Sequence, residues 1–351
     1  MLKSGHRIVC SSLKEYEKVY DDFEAHRVGT VRLQPGNWFF TTPFINYADQ
    51  VYDFKLKPSD VVVVTYPKCG TTWTQEIVWT ILKNRNLDNP KASIPINARC
   101  PFIEFDFLMN HHGLPIFEPG QEIYDGFHSM YPDRNPDDGI FLQLAELAED
   151  PRVIKSHLPL SLLPPSLLDT SKVLYIARNP RDVTISYHHH SRLIRNHNYT
   201  GNLDSFVDHM INDRLMFSPY WEHIKEGWNK RNHPNMLFCF YEDMKADPKK
   251  EIDRIAKFIN VDLTETQLDN IVSFTSFDAM KNRTEVVSWK KDASTETYFN
   301  NEVFQNDGGF FRKGQVNDWK SKLSEEQIQK LEEWSKKNCE DFDDDFKYKK
   351  M

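Results

Sequence analysis

Residues 61–79, VVVVTYPKCGTTWTQEIVW, decide the fold class of this chain. Four consecutive valines, with Pro58 before them and Pro67 and Gly70 after them, predict a short buried strand of a parallel sheet. From Thr71 onward the apolar residues recur close to helical spacing, with no internal Gly or Pro, which predicts a helix. The sequence therefore predicts a strand that runs into a helix through a short turn.

The turn between this strand and helix is predicted to bind an anion. Backbone N–H groups of the loop and the first helical turn point at one place, where the helix dipole also favours negative charge. Lys68 adds a full positive charge, and Thr71 and Thr72 add hydroxyl donors. The common nucleotide loop G-x-x-x-x-G-K-[ST] has its lysine after the second glycine, whereas Lys68 precedes Gly70. We expect a phosphate or sulfate here, and prefer this to a turn whose side chains are merely solvated.

Length, composition and net charge exclude some classes of protein. The chain has 351 residues, of which 39% are hydrophobic and 13% aromatic, so a sizeable core is expected and general disorder is excluded. The formal net charge of −8 argues against a general nucleic-acid binder, which needs a basic surface. An anionic substrate needs only a local cluster of positive residues.

Cysteine usage and hydropathy indicate a cytoplasmic protein. The five cysteines are odd in number and scattered, without a C-x-x-C pair, which predicts reduced thiols and no structural zinc. The N-terminal segment lacks the apolar core of a signal peptide, and no apolar run reaches 18 residues. We expect no membrane partner.

The strand and helix pattern recurs along the chain. Further strands are predicted at 152–156, 172–177 and 235–240, and helices are predicted after Pro180 and Pro248. This pattern predicts one α/β domain over residues 1–351, with a central parallel sheet flanked by helices. Polar residues stand at the predicted carboxyl ends of the strands: Tyr66, Lys68, His157, Arg178 and Tyr241. Ligands bind outside these ends in open parallel sheets, so we expect one shared site.

The remaining segments have weaker signals. Residues 1–56 form an N-terminal arm expected to pack over the sheet or a substrate pocket, and residues 89–150 form a long connection predicted to be a lid or pocket wall, with a short helix near 142–148. A helix is predicted to start at Ser324, capped by Gln327. Residues 340–351 are a charged tail, expected to be solvated.

Two further motifs resemble anion sites. Residues 177–186, ARNPRDVTIS, form a second predicted strand, turn and helix, and residues 310–319, FFRKGQVNDW, form a basic cluster around a glycine. Two anion sites from two strand-helix units imply a ligand with anionic groups at both ends. The alternative for Arg178, a salt bridge to Asp182, is the weaker interpretation.

Taken together, Y-P-K-x-G-T-T-W and these two motifs resemble the cytosolic sulfotransferases over roughly residues 57–319. The resemblance implies a P-loop-like phosphosulfate loop and transfer of a sulfuryl group from 3′-phosphoadenosine 5′-phosphosulfate (PAPS), with adenosine 3′,5′-bisphosphate (PAP) as product. It also implies that no metal is needed. A kinase would instead show G-K-[ST] and a metal-binding carboxylate, and a non-catalytic nucleotide module would lack a base.

The resemblance assigns the donor-binding residues. Those around the 5′-phosphosulfate are Lys68, Cys69, Gly70, Thr71 and Thr72. Those around the 3′-phosphate are Arg178, Ser186, Arg312, Lys313 and Gly314. Those that frame the adenine, or lie in the same segments, are Trp73, Tyr241, Thr275, Ser276, Phe277, Met280 and Phe310. Plain core packing is the alternative for Trp73 and Phe277, and aromatic residues often do both.

The resemblance also assigns the catalytic residues. His157 matches the base, Lys68 would neutralise the leaving oxygen, Lys155 would assist the sulfuryl oxygens, and Ser186 would contact the loop lysine and restrain premature hydrolysis. A lone histidine is more often structural, but His157 is distinguished by its place at a strand end, next to Lys155. The histidine pair at 111–112 and the three histidines at 188–190 lack metal-binding spacing, and we assign them no function.

The acceptor is expected to be a small, largely apolar molecule with a hydroxyl group, such as a phenol, sterol, retinoid or other alcohol. Phe102 and Phe44 match family positions that line this pocket, together with His157. The long 111–150 connection is similar to that of the insect members, which include the lepidopteran retinol dehydratase. Asn317 replaces a glycine of R-K-G-x-x-G-D-W-K, so the turn there is expected to differ. The segment after Trp319 lacks the usual dimer motif, which leaves a homodimer possible but unrecognised.

Overall fold

The protein is described here by a computed structural model that covers residues 1–11, 13–111, 114–115, 119–120, 122–283, 286 and 298–349. Part of the predicted lid, including His112, and the last two residues of the tail lie outside the described residues. Within the covered ranges, no helix is both long and apolar enough to span a bilayer.

The secondary structure alternates between strands and helices over most of the chain. The strands are β1 (Arg7–Cys10), β2 (Thr30–Gln34), β3 (Trp38–Thr41), β4 (Val61–Thr65), β5 (Asn110–His111), β6 (Leu114–Pro115), β7 (Val153–Ser156), β8 (Lys172–Ala177) and β9 (Met236–Phe240). The first helices are α1 (Leu13–Asp22), α2 (Phe44–Tyr52), α3 (Thr71–Lys83), α4 (Ile96–Arg99), α5 (Phe105–Met109), α6 (Glu122–Met130), α7 (Ile140–Leu147) and α8 (Leu167–Thr170). The later ones are α9 (Pro180–Leu193), α10 (Leu203–Ile211), α11 (Tyr220–Asn229), α12 (Tyr241–Ala246), α13 (Pro248–Phe258), α14 (Glu265–Phe274), α15 (Phe277–Asn282), α16 (Asn301–Asp307) and α17 (Glu325–Asn338). Short 3-10 helices occupy Glu24–Val28, Pro90–Ser93, Pro136–Asp138, Leu160–Leu162 and Asp318–Ser321.

The central sheet is parallel, with strand order β7-β4-β8-β9, and the predicted α/β class is confirmed. The middle strand β4 pairs with β7 on one side and β8 on the other, so that Val61 lies opposite both Val153 and Lys172. Because all four strands run the same way, their carboxyl ends meet at one edge. The sequence places these strands to within about one residue.

The valines of β4 explain why the sheet is buried on both faces. Val62 and Val64 belong to one hydrophobic cluster, and Val61 and Val63 belong to another on the opposite face. Side chains alternate between faces along a strand, so four apolar residues in a row fill both cores. Each buried valine contributes roughly 1.5–3 kcal/mol relative to an exposed one.

The N-terminal arm is more regular than the sequence indicates. Strands β1, β2 and β3 form a separate antiparallel sheet. The backbone of Phe39 continues this pairing, because it donates to Ser218 at 2.8 Å and accepts from Phe217 at 3.0 Å. The arm is therefore attached to the segment that follows α10, next to the carboxyl edge of the central sheet.

The expectation that the charged tail is solvated is wrong for its aromatic residues. Phe342, Phe346 and Tyr348 are buried, and the Phe346 ring lies 4.9 Å from that of Trp228. The Tyr348 hydroxyl donates to Glu242 at 2.5 Å. The aromatic side chains face the core while the acidic residues between them stay exposed, so the net charge of the segment conceals an apolar face.

The predicted cap of the last helix is present. Ser324 accepts the backbone N–H of Gln327, whose side chain in turn accepts the N–H of Ser324. The two reciprocal bonds satisfy two donors that an uncapped helix would leave unpaired. Helix α17 starts next to this cap and packs on α9 and α10, behind the edge where the strands end.

Candidate active site

A cavity of about 240 Å³ lies at the carboxyl edge of the central sheet. Lys68, which follows β4, His157, which follows β7, Arg178, which follows β8, and Tyr241, which follows β9, all line it. The topology explains this arrangement, since parallel strands deliver their next residues to the same edge.

The loop after β4 holds Lys68 in an unusual conformation. Lys68 has φ +70° and Gly70 has φ +105°, both in the left-handed region. A Cβ at Gly70 would lie 2.6 Å from a ring carbon of Tyr241, so only glycine fits this close approach. The Lys68 Nζ is 3.3 Å from Nδ1 of His190 and 4.8 Å from the ring centroid of Phe310.

The electrostatic environment of Lys68 is positive. Burial, followed by the charges of Lys155, Arg178 and Arg312, lowers the pKa of Lys68 to about 7. Among the described residues, no carboxylate forms an ion pair with Lys68, Lys155 or Arg178. Lys68 and Arg178 thus lack a paired carboxylate among the described residues, whereas the buried Glu104 offsets part of the charge of Lys155.

The start of α3 is built for hydrogen bonding. Gly70 occupies the N-cap position and offers no side-chain cap to the first turn. The Thr71 hydroxyl is 2.7 Å from that of Thr65 on β4, whereas Thr72 lines the cavity. Cys69 points away: it is fully buried outside the cavity, its N–H donates to Tyr66 at 3.3 Å, and burial raises the pKa of its thiol.

His157 is buried with a defined tautomer. Its Nδ1 is 2.9 Å from the carbonyl oxygen of Thr65, which can only accept, so Nδ1 carries the proton and Nε2 keeps a lone pair. Burial, followed by the charge of Lys155, holds the pKa of His157 well below its usual range. The rings of Phe102 and Phe217 lie 5.2 and 5.6 Å from the imidazole.

A buried carboxylate supports the segment that ends in His157. Glu104 accepts the backbone N–H of His157 and, at 3.1 Å, the hydroxyl of Ser156. Burial raises the pKa of Glu104 to about 8, and it lowers the pKa of Lys155 to about 8. The Lys155 Nζ lies 3.8 Å from the ring centroid of Phe102. The sequence analysis missed Glu104, and only its position in Pro101-Phe-Ile-Glu hinted at it.

Arg178 connects two loops rather than pairing with Asp182. Its guanidinium donates to the carbonyl oxygens of Lys68 and Gln315, both at 3.0 Å, and lies 4.4 Å from the ring centroid of Tyr241. The described residues contain no Arg178–Asp182 ion pair, so that alternative is wrong. Asp182 instead accepts the backbone N–H of Asn317 at 2.8 Å.

Asn317, which replaces a glycine of the motif, has a left-handed backbone. Its φ is +62°, a conformation that asparagine tolerates better than most residues. Whether this turn differs from that of the relatives stays a prediction. The bond to Asp182 fixes this turn next to α9.

The basic cluster before Asn317 closes the same end of the cavity. Arg312 and Lys313 donate to Asp318 at 2.8 and 2.6 Å. Gly314 has φ +59°, and a Cβ there would lie 2.1 Å from a ring carbon of Phe277, so the loop lies against that ring. Asp318 offsets part of the positive charge of this loop, in contrast to the three unpaired cations.

Most residues assigned from the sequence line this cavity. They are Lys68, Gly70, Thr71, Thr72, Trp73, Phe102, Lys155, His157, Arg178, Ser186, Tyr241, Phe277, Met280, Phe310, Arg312, Lys313 and Gly314. Trp73 also packs against the core beside the sheet, as its alternative interpretation predicted, and its contact with adenine stays a prediction.

Three other assigned residues do not line the cavity. The Thr275 hydroxyl donates to the Ile271 carbonyl oxygen at 2.8 Å at the end of α14, and Ser276 is an exposed N-cap of α15. Phe44 is part of the core, because its ring stacks on Phe40 at 4.1 Å and meets Phe107 edge-on at 5.1 Å. The prediction that Phe44 lines the pocket is therefore corrected: the arm supports the pocket wall from behind.

Other residues that line the cavity were not predicted from the sequence. They include Phe105, Leu108, His189, His190, Ile194, Asn196, His197, Phe217, Tyr298 and Phe299. For His190 a signal existed, since it lies four residues after Ser186 and helical spacing places both on one face of α9. The others come from segments far apart in the chain.

Comparison with known proteins identifies the class. Residues 58–343 match the sulfotransferase domain family. The chain is 32% identical over 298 residues to luciferin sulfotransferase of Photinus pyralis, covering 84% of this chain and 75% of that protein. It is 35% identical over 286 residues to sulfotransferase 1A1 of Mus musculus, covering 80% and 85%. The chain therefore belongs to the sulfotransferase family and is an enzyme of the PAPS-dependent class.

Within this family, the chain is similar to retinol dehydratase in structure. The structure of that enzyme with retinol and PAP has a TM-score of 0.80 and 30% identity, covering 97% of this chain and 98% of that one. Its structure with androsterone and PAP gives a TM-score of 0.81 at 30% identity, covering 97% of both chains. The resemblance predicted from the motifs is confirmed.

Proposed function

We propose that this protein transfers the sulfuryl group of PAPS to the hydroxyl of a small, largely apolar acceptor. The observation that supports this most directly is that three cations without an ion pair among the described residues lie beside one neutral, buried histidine. Lys68, Lys155 and Arg178 call for a multiply charged anion, and His157 offers a lone pair on Nε2 beside them. The buried Nε of Arg178 has no partner among the described residues, as expected where an anion binds.

The residues of this chain fit a nucleotide with an anionic group at each end. The loop 68–72 and the first turn of α3 would hold the 5′-phosphosulfate. Arg178, Ser186 and the loop 312–314 would hold the 3′-phosphate, since a guanidinium binds phosphate oxygens bidentately. Trp73, Tyr241 and Phe277 would frame the adenine between them.

The catalytic step needs little covalent work from the protein. His157 would take the proton of the acceptor hydroxyl on Nε2, which accelerates such reactions by roughly 10²–10⁴-fold. The Thr65 carbonyl would stabilise the imidazolium through Nδ1–H. Lys68 would neutralise the departing oxygen, and Lys155 would assist the sulfuryl oxygens. Because the pKa of His157 is lowered, the base is neutral at physiological pH.

The acceptor end of the cavity favours an apolar alcohol. Its wall is built from Phe102, Phe105, Phe217 and Phe299. Retinol dehydratase has been solved with retinol and with androsterone, which are both extended and apolar. We infer an acceptor of the retinoid, sterol or phenol class. The family relation also supports a cytoplasmic location, and dimerisation stays a prediction.

The test is sulfuryl transfer by the purified chain. Radiolabelled PAPS would be incubated with phenols, catechols, sterols, retinoids and amines, with and without EDTA, and labelled product and PAP would be quantified. We expect transfer to at least one alcohol or phenol, unchanged by EDTA. A chain that binds no PAP in calorimetry and transfers no label to any acceptor would contradict the proposal. Mg²⁺-ATP in place of PAPS tests the kinase alternative.

A further inference from the structure

The amine of Lys68 is held by a histidine that the proposed reaction does not use. Lys68 Nζ lies 3.3 Å from Nδ1 of His190, and no other hydrogen-bond acceptor contacts this amine within the described residues. Ser186, to which the family resemblance assigns contact with the lysine, lines the cavity one helical turn earlier. In this structure the lysine therefore contacts His190 and not Ser186.

The contact links the tautomer of His190 to the charge of Lys68. When Lys68 is an ammonium group, which can only donate, Nδ1 of His190 is the nitrogen with the lone pair. Burial and the neighbouring charge of Lys68 hold the pKa of His190 well below its usual range, which agrees with this assignment. His190 also lies between the two ends of the cavity, 6.1 Å from the Phe310 ring and 5.5 Å from the His197 ring.

Apart from Cys69, which favours the positive charge of Lys68, the charged groups around this lysine oppose it. The cations that face it are Lys155 on β7, Arg178 after β8 and Arg312 from the basic loop. The other groups are His157 after β7, His189 on α9 and the thiol of Cys69. The lone pair of His190 is thus the one hydrogen-bonding feature in the described surroundings that favours the ammonium form of Lys68.

We propose that His190 is a positioning residue that holds Lys68 protonated and aimed across the cavity until the sulfuryl donor arrives. The donor's anionic oxygens then replace Nδ1 as partner of the ammonium group, and no covalent step is involved. This inference rests on the proposed function for its catalytic meaning, but its structural part concerns the donor-free protein alone. Loss of Nδ1 would leave the ammonium group among other cations without an acceptor.

The most direct test measures the protonation of Lys68 without any substrate. Competitive acylation of the folded, donor-free protein at a series of pH values, followed by peptide mass spectrometry, gives the apparent pKa of each lysine amine. In His190→Phe we expect the apparent pKa of Lys68 to fall by roughly one pH unit, as expected from loss of one hydrogen bond to a charged group. In His190→Asn, whose side-chain oxygen can accept, we expect most of the shift to be reversed.

His188→Phe is the matched control, because it removes an imidazole from the same helix that packs on Tyr199 and Phe206 and does not line the cavity. We expect its Lys68 to titrate as in the unmodified chain. Should His190→Phe not fold, His190→Leu, which also lacks an acceptor and is smaller than phenylalanine, takes its place. An unchanged Lys68 titration in the folded His190 variant, or an equal shift in His188→Phe, would overturn the inference.

A kinetic measurement links this to turnover and separates the two proposals. Because Lys68 must be protonated to assist the leaving oxygen, kcat/KM for the donor should decline as pH rises through its pKa. We expect this alkaline decline to begin at lower pH in His190→Phe than in the unmodified chain and to be restored in His190→Asn. An unmodified chain without transferase activity at any pH would refute the proposed function, whereas an active chain with coincident profiles would refute only the role of His190.

Discussion

The two ends of the cavity are built in different ways. The donor end consists of short loops that directly follow strands of the central sheet, and its groups are cationic or hydrogen-bonding, such as Lys68 and Arg178. The acceptor end is assembled from segments far apart in the chain, and Phe105, Phe217 and Phe299 give it an aromatic wall. If the proposed function is correct, charge and backbone geometry would recognise the donor, whereas shape would recognise the acceptor.

The largest effect should come from the residue that lies between the two ends. His157→Ala removes the proposed base, so we expect kcat to fall by roughly 10²–10⁴-fold. Because the imidazole bonds to Thr65 on β4 and not to Lys68 or Arg178, the affinity for PAP in calorimetry should remain close to that of the unmodified chain. Simultaneous loss of PAP binding and turnover would instead show that His157 is structural.

The donor end is tested by Arg178. Arg178→Ala removes hydrogen bonds to the Lys68 and Gln315 carbonyls and a charge facing the proposed 3′-phosphate. We expect the Kd for PAP to rise by roughly 10–100-fold, with KM for the acceptor little changed. Arg178→Lys keeps the charge but loses the planar guanidinium, so its Kd for PAP should lie between those of the unmodified chain and the alanine variant. A PAP affinity unaffected by the alanine variant would contradict this assignment.

The acceptor end is tested by Phe105, whose ring lies 5.5 Å from that of Phe102 and 4.7 Å from that of Phe141. Phe105→Leu keeps the site apolar but changes its shape. We expect KM for the acceptor to rise by about fivefold, through loss of ring contacts, while the affinity for PAP stays constant. If the variant weakened PAP binding and acceptor binding alike, the proposed separation of the two ends would be wrong.

The smallest effect should come from the C-terminal segment behind the donor end. The Tyr348 hydroxyl donates to Glu242, whose other oxygen accepts the N–H of Asn179 at 2.8 Å, next to Arg178. Tyr348→Phe should lower the free energy of unfolding by about 1–2 kcal/mol, because it leaves a carboxylate oxygen unpaired, and should weaken PAP binding only slightly.

The neighbouring ion pair provides a matched control. Lys347 contacts Asp243, and both side chains are partly exposed. Lys347→Ala should change the unfolding free energy by less than about 1 kcal/mol, as for most surface pairs. Chemical denaturation of both variants measures the free energy of unfolding. An equal decrease in both would show that the buried Tyr348 hydrogen bond stabilises the fold no more than the surface ion pair.

The contrast also explains how much could be predicted from the sequence. The predicted bounds of β8 match the structure because a short apolar run marks a buried strand locally. The cap at Ser324 was predicted because the residues that form it lie within four positions of each other. The donor end follows from contiguous motifs on such strands. In contrast, the acceptor end depends on which distant segments meet, so Phe44 was assigned to the pocket while Phe217 was missed.

Two other misses have local causes. The antiparallel sheet of the N-terminal arm was not predicted because its strands are short and carry polar residues such as Arg32, which is nevertheless buried. The C-terminal segment was predicted to be solvated because its acidic residues dominate the composition. In the arm, tertiary packing buries a charged residue, whereas in the C-terminal segment the acidic composition conceals aromatic residues that pack on the core.

The glycine at position 70 has a consequence for how such enzymes diverge. Its Cα lies so close to the ring of Tyr241 that any side chain would collide with it, as Gly314 would with Phe277. During evolution these positions can change only in concert, so we expect the donor end to vary slowly. The separate rings of the acceptor wall have no such mutual constraint, and new substrates can be acquired there by single replacements.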